Sequence, residues 1–204
     1  MKVQFLITIS IFSIFPGLCQ STFVDSRDST VYETVQIGNL SWMAEDLKLQ
    51  TESSHCPNFN KDSEECEVAN FYSYNELETL CPDKWRLPTV DEWNQFVLSF
   101  TEAKTVRMLE DNKKLFRVDF LDGYNILTNN ILSIKPIGRT EGNIWQDGYY
   151  ADYWTKNTHM KDSRFHIHIS QFTIAGHAHK HNINEKDDEK NRKFAVRCVC
   201  EEGQ

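Results

Sequence analysis

Cysteine placement constrains this chain more than any other feature. Cysteines stand at positions 19, 56, 66, 81, 198 and 200. The last five are separated by ten, fifteen, 117 and two residues, with no Cys-x-x-Cys knuckle. Thiolate zinc sites are built from such knuckles, so this spacing disfavours one. What the sulfurs do instead depends on the compartment, and the N-terminus speaks to that. Met1-Lys2 is followed by an apolar run from Val3 to Phe15 and then by Pro16-Gly17-Leu18-Cys19-Gln20. One cation, a short apolar stretch and a helix-ending Pro-Gly is the layout of a secretory signal peptide over residues 1–19. The run is shorter than the ~20 residues a spanning helix needs, and no later stretch is long and apolar enough to be a transmembrane helix. Cys19 is alternatively the lipid anchor of a bacterial lipoprotein, although Leu18 stands where that processing takes a small residue. Both readings place the mature chain outside the cytoplasm, secreted or at the cell surface.

Cysteines in that compartment form disulfides. Sequence does not fix their connectivity. The preferred pairing joins Cys56 to Cys66 and Cys81 to Cys198. The second bridge closes most of the domain, worth about 4–5 kcal/mol on the chain-entropy model. Cys200 is left over, with Cys19, another chain or nothing as its partner. On a strand it shares a face with Cys198.

The rest of the chain is suited to a packed core. Five Trp, seven Tyr and thirteen Phe among 204 residues exclude disorder as the main state. With 8 Gly and 5 Pro the chain is neither collagen-like nor low-complexity. A formal net charge of -8 argues against a general nucleic-acid binder, which needs a basic footprint. There is no internal repeat and no Pro/Gly/Ser-rich linker, so a single domain over residues 23–202 is the simplest organisation.

Val31 to Ile37 alternates and is rich in β-formers, Gly38-Asn39 follows as a turn, and Leu40 to Met43 resumes the alternation. This predicts a hairpin. A polar loop over residues 51–66 is the stretch that Cys56 and Cys66 would staple. A short helix is predicted over Tyr74 to Leu80, stopped by Cys81-Pro82. Thr89 and Glu92 then fit a capping box, and Asp91 and Glu92 suit the positive end of a helix dipole. Trp93, Phe96, Val97 and Phe100 fall at i, i+3, i+4 and i+7, one apolar helix face. Residues 120–155 are turn-rich and read as loops and short strands. Arg164 to Thr173 and Phe194 to Cys200 read as paired strands, with a His-rich stretch and the charge run Glu185 to Lys193 between them.

These segments resemble a known family. Asp25 to Leu47 is similar to the opening of the Fibrobacter succinogenes major paralogous domain. Further matches follow in order: Cys56 and Cys66, Phe71 to Asn75, Cys81 to Thr89 with Glu92-Trp93, Tyr153-Trp154, and Val196 to Val199. The Arg86-Leu87-Pro88-Thr89 element with Glu92-Trp93, and the terminal Val196-Arg197-Cys198, also resemble the formylglycine-generating-enzyme and C-type-lectin-like superfamily. That resemblance implies an α+β domain of C-type-lectin-like fold, two helices flanking a small twisted antiparallel sheet, stapled by disulfides. It also implies that the first and last strands lie close together. Asn70 and Lys193 stand where the family usually has Gly, and Trp154 is followed by Thr155-Lys156 rather than a Ser-rich pair. The His-rich insert and Cys200 are particular to this chain. The family carries no established general activity.

The candidate functional residues fall into two sets. Trp42, Trp85 and Trp93 occupy motif positions and read as core. Trp145, Tyr149, Tyr150 and Trp154 are the candidate ligand contacts, because aromatic faces bind the apolar faces of sugars. His166 and His168 alternate on a strand, and His177, His179 and His181 alternate again. Alternate residues of an extended chain share a face, so the five histidines are a candidate Zn or Cu site, weighed against a solvated hairpin tip. Arg86 and Arg197 are expected to lock loops by pairing with Glu45, Asp91 or Glu92. No His-Glu-x-x-His pattern, nucleophile elbow, phosphate loop or calcium-loop spacing occurs, and the lectin sugar-binding triplets are absent. No cofactor is implied. The expectation is therefore a non-enzymatic binding domain, outside the cytoplasm, for a glycan or an extracellular protein. The alternatives are a His-rich metal-binding protein or a structural envelope component.

Overall fold

The computed structural model describes residues 21–57, 64–100, 107–108, 114–119, 133–141, 144–146, 150–160, 163–170, 173–180 and 192–201. The signal-peptide and Cys19 readings, Tyr149 and His181 lie outside these residues. In chain order the strands are β1 (Ser21–Val24), β2 (Val31–Ile37), β3 (Leu40–Met43), β4 (Tyr72–Ser73), β5 (Arg107–Met108), β6 (Lys114–Asp119), β7 (Arg139–Glu141), β8 (Ile144–Gln146), β9 (Tyr150–Met160), β10 (Ser163–Ser170), β11 (Thr173–Lys180), β12 (Arg192–Phe194) and β13 (Val199–Glu201). Two helices join them: α1 (Leu77–Leu80) and α2 (Val90–Phe100). No described helix is long and apolar enough to cross a membrane.

The expected α+β architecture is corrected by this inventory. The described residues are mostly β, in three antiparallel sheets ordered β1-β2-β3-β13, β5-β6-β11-β10-β9 and β4-β12-β7-β8. Helical signals were present in the sequence, but they are short. The segment after Ser73 is a 3-10 turn over Tyr74–Glu76 followed by one turn of α1, because Pro82 bars continuation. The strands are long where turn residues had suggested loops: β9 alone runs eleven residues. Two further corrections concern pairing. Phe194 to Cys200 does not pair with β10, whose partners are β9 and β11. It divides instead into β12, paired with β4 and β7, and β13, paired with β3. Local alternation identifies a strand but not its neighbour.

Several local features follow from the residues as expected. Ile37 pairs with Leu40, so Gly38-Asn39 is a two-residue turn, and Gly38 takes the φ of +63° that an L side chain resists. At the head of α2, the Thr89 amide donates to Glu92 at 2.7 Å and the Glu92 amide donates to Thr89 Oγ1 at 3.2 Å. Trp93 and Phe96 are buried, as the helical spacing requires. Disulfides join Cys56 to Cys66 and Cys81 to Cys198, the preferred pairing.

Two apolar clusters form the core. One gathers Trp42, Trp93, Phe96, Tyr153, Ile167 and Ile169; the other gathers Tyr32, Met43, Tyr72, Trp154, Phe194 and Cys198. Successive residues of β9 enter different clusters, so this strand is covered on both faces. It also links two sheets. Gly138 and Ala195 bridge in parallel to Ala151 and Tyr153, with Ala195 donating to the Asp152 carbonyl at 3.0 Å.

Candidate functional site

A carboxylate in the middle of a buried aromatic strand demands partners, because an unpaired buried charge is costly. Asp152 is that residue. It lies on β9 with its side chain 0% exposed. Strand register supplies one partner: His168 of β10 sits directly opposite, and its Nδ1 meets Asp152 Oδ1 at 2.7 Å. The other oxygen accepts from Arg139 Nη1 at 3.0 Å. Arg139 opens β7 just after Gly138, whose φ of +74° turns the chain there, while the Gly138 amide donates to the Tyr150 carbonyl at 2.7 Å. His166 Nε2 stands 3.7 Å from Asp152 Oδ1.

Tyr150 completes the arrangement. Its ring lies 4.9 Å from the His168 ring, and the Arg139 guanidinium sits over it at 5.4 Å from the centroid. Both neighbours of Tyr150 are thus tied to one carboxylate. The Arg139 and His168 side chains are 22% and 25% exposed, so Asp152 is withdrawn behind groups that reach solvent. Asp152 holds a planar cation and an imidazole in fixed directions beside an aromatic ring. Such an arrangement suits binding, because the polar groups are already ordered.

The expected site residues are distributed unevenly. Tyr150 and His168 come together in this cluster. Trp154 is corrected from ligand contact to core. It is 0% exposed, its Nε1 donates to the Tyr72 carbonyl at 2.8 Å, and it packs on Phe194 with centroids 4.5 Å apart. His166 is likewise buried, with its ring 4.6 Å from Phe194. Backbone register sets His177 opposite His166 and His179 opposite Arg164. The side chains of His177, His179 and Trp145 lie outside the described residues. Among the described residues no group of three or more His, Cys, Asp or Glu is disposed to hold a metal ion.

Asp152 and Arg139 were missed in the sequence. The available signal was the alternation Tyr150, Asp152, Trp154, which puts an acid on the face of two aromatics.

Other polar groups serve the scaffold. Arg86 donates to Glu92 through both terminal nitrogens, at 2.9 and 2.7 Å, one of the expected pairings. Arg197 departs from expectation and binds Asp46. Cys200 forms no disulfide with any described cysteine. Burial pushes its thiol above the ordinary value, against the pull of Arg86, so it is not an activated thiolate.

The fold defines a disulfide-stapled, mostly β domain with a polar-aromatic cluster on β7, β9 and β10. The Fibrobacter succinogenes major domain matches residues 35–200, and the chain belongs to that family. No curated protein and no solved structure matches the chain.

Proposed function

We propose that this chain is a binding domain, secreted or held at the cell surface, whose ligand is a glycan or an extracellular protein engaged at Tyr150, Arg139 and His168. One observation carries the reading: Arg139 and His168 share the buried Asp152 carboxylate, at 3.0 and 2.7 Å, and flank Tyr150. Three partly exposed groups are thereby held rigidly, which lowers the ordering cost of binding. The signal-like N-terminus and the two disulfides support a place outside the cytoplasm.

The test is a glycan array and a surface-protein pull-down, both with the disulfide-intact protein. A ligand retained by the wild type and lost with Tyr150→Ala supports the reading. A ligand bound equally by wild type and Tyr150→Ala places the function elsewhere.

A further inference from the structure

The chemistry of the cluster narrows the ligand class, and this step rests on the binding reading above. The four groups play unequal parts. Asp152 is sealed from solvent while Arg139 and His168 reach it, so the acid orients and the other two present. A guanidinium only donates, in a planar fork that matches the two oxygens of a carboxylate or a sulfate. Its Nη1 is held by Asp152 at 3.0 Å, which fixes the plane of the fork.

His168 presents the opposite capacity. A carboxylate accepts, so the Nδ1 that meets Asp152 at 2.7 Å carries the hydrogen. In the neutral ring Nε2 is then an acceptor, suited to a hydroxyl donor. The Tyr150 ring lies close to both, 5.4 Å from the guanidinium and 4.9 Å from the imidazole. A fixed anion receptor, a hydroxyl acceptor and an aromatic ring thus meet within the span of one pyranose.

We infer that the site takes an acidic sugar residue, its carboxylate or sulfate on Arg139, a hydroxyl donating to His168 Nε2, and its C–H face beside Tyr150. The chain's net charge of -8 gives no long-range attraction for such a ligand. Recognition is therefore local and geometric rather than a general affinity for polyanions.

The experiment is an NMR titration of the full, disulfide-bonded chain, reading the His168 ring and Arg139 side-chain signals. The probes are glucuronate, glucose 6-sulfate, glucose, acetate and a tri-glutamate peptide. Glucuronate or glucose 6-sulfate should move both signals saturably, at least tenfold more tightly than glucose or acetate. Which of the two binds more tightly decides between carboxylate and sulfate. Glucose binding as tightly as both acidic sugars overturns the inference and leaves a neutral-glycan reading of the same site. The peptide binding more tightly than both acidic sugars overturns the sugar class and leaves a protein partner. If none of the probes moves either signal, the inference fails, and the array decides separately whether the binding reading survives. Arg139→Gln should weaken the acidic-sugar affinity at least tenfold, with Arg139→Lys intermediate because it keeps charge and loses the fork. Should Arg139→Gln not fold, the wild-type titration decides alone.

Discussion

Arg197 Nε lies 2.5 Å from Asp46 Oδ1, across 151 residues of sequence, with both side chains buried. Arg197 also donates to the Ala44 carbonyl at 3.0 Å, and the Tyr153 hydroxyl donates to Asp46 at 3.0 Å. Burial pushes the Asp46 carboxyl above its ordinary value against the pull of Arg197. Burial also opposes the charge on Arg197, but Asp46 and Tyr153 outweigh it and hold the guanidinium above its ordinary value. Each charge is tolerable only because the other is present. Removing one partner by Asp46→Ala or Arg197→Ala is therefore expected to cost about 3–5 kcal/mol in urea unfolding. The pair Asp46→Leu with Arg197→Met should cost less than either single change. A single substitution costing under about 1 kcal/mol contradicts this account.

Acid should weaken the fold through two glutamates. Burial raises the Glu92 carboxyl, but bonds from Arg86 and Thr89 outweigh it and leave it below its ordinary value. Glu76 is lowered the same way, burial being outweighed by Thr51, Ser53 and Ser73. A carboxyl depressed in the folded state adds stability above its unfolded value, here 4.5, and loses it as pH falls through the lower folded value. Stability measured against pH should decline below about 4.5, where protonation of the unfolded glutamates begins. Glu92→Gln should flatten that limb. Thr89→Ala, which removes the cap, is expected to cost about 1 kcal/mol at neutral pH. An unchanged acid limb in Glu92→Gln rules out the assignment.

The two disulfides should differ in worth. Cys81–Cys198 spans 117 residues and Cys56–Cys66 spans ten. On the chain-entropy model the long bridge contributes about 4–5 kcal/mol and the short one about 2–3 kcal/mol. Thermal melts of the two double-alanine variants check the order. The short-bridge variant melting lower would show that native packing around Cys56, not loop closure, dominates.

What could be read from the sequence was local, and what could not was set by long-range pairing. Gly38-Asn39, Thr89 with Glu92, and Pro82 each act within a few residues, so their structures were legible. The neighbours of β10 depend on register against β9 and β11, far along the chain, and the alternation of His166 with His168 names a face without saying what covers it. Phe194 covers His166, and nothing near His166 in sequence announces that. Similarly, Arg139 meets Asp152 only because Gly138 bridges to Ala151. The mostly β architecture was obscured because turn residues punctuate a region that nonetheless carries long strands.

Tyr150 and Trp154 stand on one strand, four residues apart, and should separate binding from stability. Trp154 is fully buried and fills space against Phe194 and Tyr74. Its loss leaves a cavity and strands the Tyr72 carbonyl that its Nε1 satisfies. Trp154→Ala is therefore expected to cost about 3–5 kcal/mol. Tyr150 is half-buried at the end of β9, and its contacts with Arg139 and His168 are held in place by Asp152 rather than by its own ring. Tyr150→Ala should cost no more than about 1–2 kcal/mol, since only part of the ring leaves a packed environment. Its effect should fall on ligand affinity, with at least a tenfold loss. Urea unfolding and ligand titration on both variants distinguish the roles. The reverse outcome, a destabilised Tyr150→Ala with unchanged affinity, would assign Tyr150 to the scaffold and move the binding surface away from β9.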